Sequence, residues 1–207
     1  MDLATKDQQS ELMLVRASDG MQMNLRALQG LWTEEQYLVL SDSSRQLIEF
    51  SDGMIEVLTM PTDRHQVMLA FIYSLLVNHI HPLGGKVLFA PLRVRIREGK
   101  QREPDIVVLL DARDARRQDR FWLGADLVVE IVSPDDPMRD LVMKRFDYAE
   151  AGFPEYWIVN PEDETISVLQ LVDDQYVEYG IFGRGQQLRS VLLPHFSMAA
   201  TAVFDAE

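Results

Sequence analysis

Two periods of apolar spacing alternate along the chain, and the switches between them set the expected elements. Leu47 to Phe50 and Met54 to Met60 flank Ser51-Asp52-Gly53 and predict a hairpin with Asp-Gly as the turn. Val67, Met68, Phe71, Ile72, Leu75, Leu76 and His79 then recur at three and four, predicting an amphipathic helix from Pro61 to about Ile80. Pro82, Gly84 and Gly85 end it. Strand patterns follow at Lys86 to Arg97, where Leu92, Val94 and Ile96 alternate with Arg93, Arg95 and Arg97, and at Ile106 to Leu110. Leu127, Val128, Val129, Ile131 and Val132 form an almost unbroken apolar run, as in a strand buried on both faces of a sheet.

A second helix is expected over Met138 to Ala151, with Met138, Leu141, Val142, Arg145 and Ala149 as its inner stripe and Gly152 as its stop. Glu155 to Asn160, Thr165 to Leu171 and Gln175 to Tyr179 read as strands, with Asp173-Asp174 as a hairpin turn. Near the start, Thr33 and Gln36 make a capping box for a short helix from Glu34 to about Leu40. Residues 1–29 read as a poorly ordered or exchanged arm, and residues 30–207 as a single domain. The order of elements favours an α/β fold, with a central mixed β-sheet flanked by helices on both faces.

Composition narrows the function classes. Of 207 residues, 47% are hydrophobic and 26% charged, ordinary values for a globular protein. No apolar run approaches the ~20 residues of a membrane span, and the N-terminus lacks a secretory pattern, so no membrane partner and a cytoplasmic location are expected. The absence of cysteine excludes disulfides, thiolate metal sites and thiol nucleophiles. A net charge of -13 argues against broad, non-specific nucleic-acid binding, which rests on Lys and Arg. The basic residues that cluster at all are Arg93, Arg95 and Arg97, and Arg113, Arg116, Arg117 and Arg120 in the charged, solvated loop Asp111 to Arg120.

Glu130 stands inside the most apolar run of the chain. An ionised carboxylate there is destabilised by several kcal/mol unless a partner charge, hydrogen bonds or a metal compensate. Either it pairs with an Arg from a neighbouring element or lies at the strand's open end, or it is an active-site or metal-binding carboxylate. Pro104-Asp105 places a second acid at the start of the preceding strand, and consecutive strands are often neighbours. If the two strands pair, Asp105 and Glu130 can face each other. Carboxylates sharing such a place call for a cation between them, and oxygen donors suit Mg²⁺ or Mn²⁺. Asp140, Lys144 and Tyr148, at i, i+4 and i+8, share one helix face. Beside a carboxylate pair the Lys144 ammonium could hold a water and offset phosphoryl charge; the plainer reading is an exposed Asp140–Lys144 pair.

The ordered set Asp52-Gly53, Met60-Pro61-Thr62, His65-Gln66, Pro104-Asp105, Glu130-Ile131-Val132-Ser133-Pro134, Asp140, Lys144, Tyr148, Gly152 and Glu155-Tyr156-Trp157 resembles the Uma2 family, also called DUF820. That family falls in the PD-(D/E)XK, or restriction-endonuclease-like, superfamily. The resemblance runs from about Glu49 to Trp157. It implies a restriction-endonuclease-like fold and a Mg²⁺- (or Mn²⁺-) dependent phosphodiesterase, with Asp105 and Glu130 as metal ligands and a lysine assisting the water. The superfamily's lysine position is Val132 here, and Lys144 on the following helix matches the lysine that stands in for it in Uma2-like chains.

His65, in the His-Gln pair, would contact a phosphate or the acidic centre, or else be a half-exposed residue at a helix start. Glu49 resembles an additional acid of such folds, or is a solvated strand residue. Ser133, Tyr148 and Tyr156 line the site, or only pack and cap. A nuclease reading implies nucleic acid as partner, DNA favoured over RNA, and a homodimer able to cut two strands. The alternative from another class is a catalytically silent nuclease-like module that binds or regulates, its carboxylates satisfied internally; the -13 charge favours it.

Overall fold

A computed structural model describes residues 13–207. The part of the expected arm that precedes Met13 lies outside the described residues. The first elements are β1 (Met13–Val15), β2 (Gln22–Asn24), α1 (Glu34–Ser43), β3 (Ile48–Ser51) and β4 (Met54–Val57). Next come α2 (Asp63–Ile80), β5 (Lys86–Phe89), β6 (Val94–Arg97), β7 (Lys100–Arg102), β8 (Ile106–Leu109) and β9 (Leu127–Ile131). A π-helical turn (Arg139–Met143) runs into α3 (Lys144–Glu150). The chain continues with β10 (Glu155–Asn160), β11 (Thr165–Val172), β12 (Gln175–Gly183), β13 (Gln187–Arg189), β14 (Ser197–Ala199) and α4 (Ala200–Phe204).

By contacts the chain forms two compact units. One takes the chain up to Met60 together with Glu98–Gln101; the other takes Pro61–Arg97 and Arg102–Glu207. The boundary expected near residue 29 lies inside the first.

In the first unit, part of the segment expected as a poorly ordered or exchanged arm pairs as strands, β1 against β2, with Leu14 opposite Met23. The Gln29 side chain ties the chain to the hairpin, donating to the Ile55 carbonyl at 2.8 Å and accepting the Ile55 N–H at 2.9 Å. The capping box of α1 forms as the sequence requires, Thr33 and Gln36 each accepting the other's backbone N–H. β3 and β4 pair around Asp52 and Gly53, whose φ values of 49° and 81° are those of a tight hairpin turn. Tyr37 stacks on Phe50 with 5.2 Å between ring centroids and donates to the Ile48 carbonyl.

The second unit is built on a six-stranded sheet in the order β12-β11-β10-β9-β8-β5. β9 and β10 run parallel, and the other neighbours antiparallel. Parallel neighbours need a crossover connection, which the π-helical turn and α3 supply. Residues of alternate parity along β8 and β9 build two cores. Ile106, Val108, Leu127 and Val129 pack with Met68, Leu69, Ile72, Leu76 and Ile80 of α2, and Val203 of α4. Val107, Leu109, Val128 and Val132 pack with Tyr148, Phe153, Tyr156 and Trp122 on the α3 side. Trp122 and Trp157 are thus core residues.

Four expectations change. The strand read over Lys86 to Arg97 is two strands, β5 and β6, separated by residues 90–93. β13, β14 and α4 carry too few residues to show a period. Asp63–Leu83, α2 with the short 3-10 turn after it, is long and apolar enough by length and composition to cross a membrane, contrary to the reading of the sequence. Its inner stripe packs against the sheet.

The helix after β9 is turned over relative to its expected inner stripe. Leu141 and Ala149 do pack against the core, but Met138 and Val142 are exposed, as are Met143 and Phe146. Asp140, Lys144, Asp147 and Tyr148 are buried in their place.

Candidate active site

The register of β8 on β9 sets Ile106 opposite Val129 and Val107 opposite Val128. One step further along the same antiparallel ladder, Asp105 comes opposite Glu130. The two are also joined through the backbone, because Asp105 Oδ2 accepts the N–H of Ile131 at 2.7 Å. Glu130 shares its parity with Val128 and Val132 and so points to the α3 side, where it is 2% exposed. An acid held there needs partners.

The turned-over helix brings them. Lys144 Nζ lies 2.8 Å from Glu130 Oε2 and 2.9 Å from Asp140 Oδ1, and the lysine and Asp140 side chains are only 5% and 6% exposed. The exposed Asp140–Lys144 pair considered from spacing alone is therefore excluded by burial. Tyr148 OH donates a short hydrogen bond to Glu130 Oε1. Asp140 is itself anchored, its Oδ2 accepting the Ser133 N–H at 3.3 Å and its carbonyl accepting Tyr156 OH at 2.9 Å.

On the other side of the acid pair, His65 in the first turn of α2 places Nε2 3.1 Å from Asp105 Oδ2. Of its two possible roles, the contact to the acidic centre is the one the geometry holds, and the side chain is largely buried rather than half-exposed. His65 Nδ1 is buried with no hydrogen-bond partner among the described residues. Asp105 Oδ1 accepts no hydrogen bond among them either.

Burial dominates the electrostatics. It pushes the Glu130 carboxyl up to about 8, against the pull of the Lys144 ammonium and with the repulsion of Asp105 and Asp140. Burial alone would lower the basicity of His65, but the hydrogen bond to Asp105 and the charges of Asp105, Glu130 and Asp140 outweigh it and raise the imidazole above its ordinary value. Tyr156 is held well above the usual phenol range by burial and then by the same acids.

Asp105, Glu130 and Asp140 thus lie close together, with the Lys144 ammonium on Glu130 and Asp140 and the His65 imidazole on Asp105. That donor set fits a hard divalent cation. Asp105, with Oδ1 open, and Glu130 are the residues that would hold it. Among the described residues no group of three or more His, Cys, Asp or Glu has metal-ligand spacing. The pair would therefore supply only part of a coordination shell, which is usual for Mg²⁺, whose other ligands are water and substrate phosphate.

Glu49 lies on β3 in the first unit, opposite Glu56 in the hairpin, and at 0% exposure is not the solvated strand residue it could have been. Ser133 contributes through its backbone N–H.

The sequence reading missed the buried Arg102–Asp147 pair, in which Arg102 Nε donates to Asp147 Oδ2 at 2.8 Å. The signal was present: Asp140, Lys144, Asp147 and Tyr148 form a second stripe at helical spacing, polar where the first is apolar.

Among curated proteins none matches the sequence. Among solved structures, the chain is similar to a "putative nuclease belonging to DUF820" from Anabaena variabilis, with a TM-score of 0.70 and 19% identity over 84% of this chain and 97% of that one. At that identity the likeness establishes the fold, a nuclease-like mixed α/β sheet flanked by helices. The model of the Uma2 family, described as "Putative restriction endonuclease", matches residues 34–201 and supports a nuclease. Matched over most of its length, the chain belongs to the Uma2 family.

Proposed function

We propose that this protein is a metal-dependent nuclease that hydrolyses phosphodiester bonds of nucleic acid, with DNA favoured over RNA. One observation carries the reading: Lys144 is fixed 2.8 Å from Glu130, next to an acid pair set by strand register. A Mg²⁺ or Mn²⁺ ion, when bound, supplies Lewis-acid polarisation of a phosphoryl oxygen and makes nearby water more acidic.

The chain's own residues do the positioning. Asp105 is oriented by His65 and by the Ile131 N–H through Oδ2, so that Oδ1 would be the oxygen available to a cation. Glu130 is oriented by Tyr148 and Lys144. The Lys144 ammonium can donate to the attacking water or to the phosphate, and its charge offsets the negative charge that develops there. Because it is held in a dry place, that interaction is stronger than in bulk water.

The test is cleavage of plasmid DNA, single-stranded DNA and RNA with Mg²⁺ or Mn²⁺. Glu130→Gln and Asp105→Asn should each abolish metal-dependent cleavage while the circular dichroism spectrum is retained. Cleavage by Glu130→Gln at the parent rate would end the reading.

A catalytically silent module remains the second reading, favoured by a specific observation. Both Glu130 oxygens already have partners within the chain, Lys144 and Tyr148. Calorimetric titration with Mn²⁺ separates the two readings: the nuclease binds the ion in a manner lost in Asp105→Asn, and the silent module gives no such heat. A homodimer and a cytoplasmic setting belong to the nuclease reading as proposals, the first checked by light scattering and the second by fractionation.

A further inference from the structure

We propose that Asp140 is a positioning residue that fixes the Lys144 ammonium against Glu130 and so sets where the amine meets the reacting phosphate. A lysine has four rotatable side-chain bonds, and a single ion pair does not define its Nζ position. Here two carboxylates hold Nζ from different elements, Glu130 on β9 at 2.8 Å and Asp140 in the π-helical turn at 2.9 Å.

Asp140 can act as a fixed point because it is itself held at two further places. Its Oδ2 takes the Ser133 N–H just after β9, and its carbonyl takes the Tyr156 hydroxyl from β10. The geometry of the turn also matters. The Lys144 N–H reaches back five residues to the Arg139 carbonyl, the wider π spacing. This widened turn ends where the amine-bearing residue begins, and π turns inside helices are commonly found where a side chain must be aimed. Asp140 thus links the backbone just after β9 and the Tyr156 side chain of β10 to the lysine.

The kinetic consequence rests on the nuclease reading, whereas the placement of the amine does not, so two measurements on the full chain are paired. The first is the side-chain ¹⁵N–¹H spectrum of the lysine ammonium groups. The parent should show a resolved, slowly exchanging signal that Lys144→Met removes. Asp140→Asn should lose or broaden that signal, and Asp140→Glu, which keeps the charge but moves it by one methylene, should shift it. Absence of the signal in the parent, or an unchanged signal in both Asp140 variants, overturns the proposal.

The second measurement is cleavage with Mg²⁺. Asp140→Asn should lower kcat by about 100-fold with little change in KM, as expected for a displaced catalytic group. It should add no further loss in a Lys144→Met background. An equal further loss in that background overturns the proposal. A parent that cleaves nothing, but whose amine signal responds as described, keeps the positioning role and removes the nuclease reading.

Discussion

Asp105 Oδ2 accepts the backbone N–H of Ile131 at 2.7 Å, so the acid that opens β8 is tied to the peptide directly after Glu130. A slip of either strand by one residue would break this bond and turn that strand's carboxylate to the opposite face of the sheet. The pairing of the acids is therefore a consequence of strand register, which the two apolar cores on either side of β8 and β9 hold in place.

The raised Glu130 carboxyl makes stability depend on pH. Its folded value of about 8 exceeds the ordinary 4.5, so its contribution to folding is fully present below about pH 4.5 and is lost as pH rises through about 8. His65, also raised, acts in the same direction from its ordinary 6.5 upward. Metal-free protein should lose urea resistance from about pH 5 to about pH 8, and Glu130→Gln should flatten part of that fall. Identical slopes in the two proteins would remove Glu130 as the cause.

Ion binding should show the reverse trend. The Glu130 carboxyl must give up its proton to act as a ligand, so apparent Mn²⁺ affinity should rise with pH up to about 8 and level off above it. Calorimetry in buffers of different ionisation enthalpy should detect a released proton at about pH 7. An affinity that does not change with pH would argue against Glu130 as a ligand.

His65→Ala removes a largely buried donor to a carboxylate and should cost about 1–3 kcal/mol of stability. It should also weaken Mn²⁺ binding, since Asp105 loses one of the two bonds that orient it. Denaturant titration and calorimetry check both.

Arg102 and Asp147 form a buried ion pair. Arg102→Met alone should destabilise by about 3–5 kcal/mol because it leaves a buried carboxylate short of its partner, and adding Asp147→Leu should recover part of that loss. A double variant no more stable than the single one would mean that the pair contributes net stability.

The turned-over helix gives a contrast within a few residues. Phe146 is 73% exposed, so Phe146→Ser should change stability by no more than about 0.5 kcal/mol. Tyr148→Phe, two residues on, removes the hydroxyl that serves Glu130 and should cost about 1–3 kcal/mol. Thermal unfolding of the two variants checks this orientation.

Local chemistry made much of the protein legible from its residues. The Thr33–Gln36 capping box, the Asp52-Gly53 turn and the length of α2 depend on neighbours in the chain, and each formed where the residues required it. The oddity of Glu130 within an apolar run was equally plain, because the low solvation of a buried acid does not depend on the details of packing. Tertiary structure decided which face of the helix after β9 turns inward. Two stripes competed there: Leu141 and Ala149 of the apolar one still pack against the core, while its Met138 and Val142 give way to Asp140, Lys144, Asp147 and Tyr148. A buried Glu130 changes that balance, since a carboxyl in the core needs hydrogen-bonding and ammonium partners that only the polar stripe supplies. That comparison needs both elements in place, and a sequence presents them one at a time.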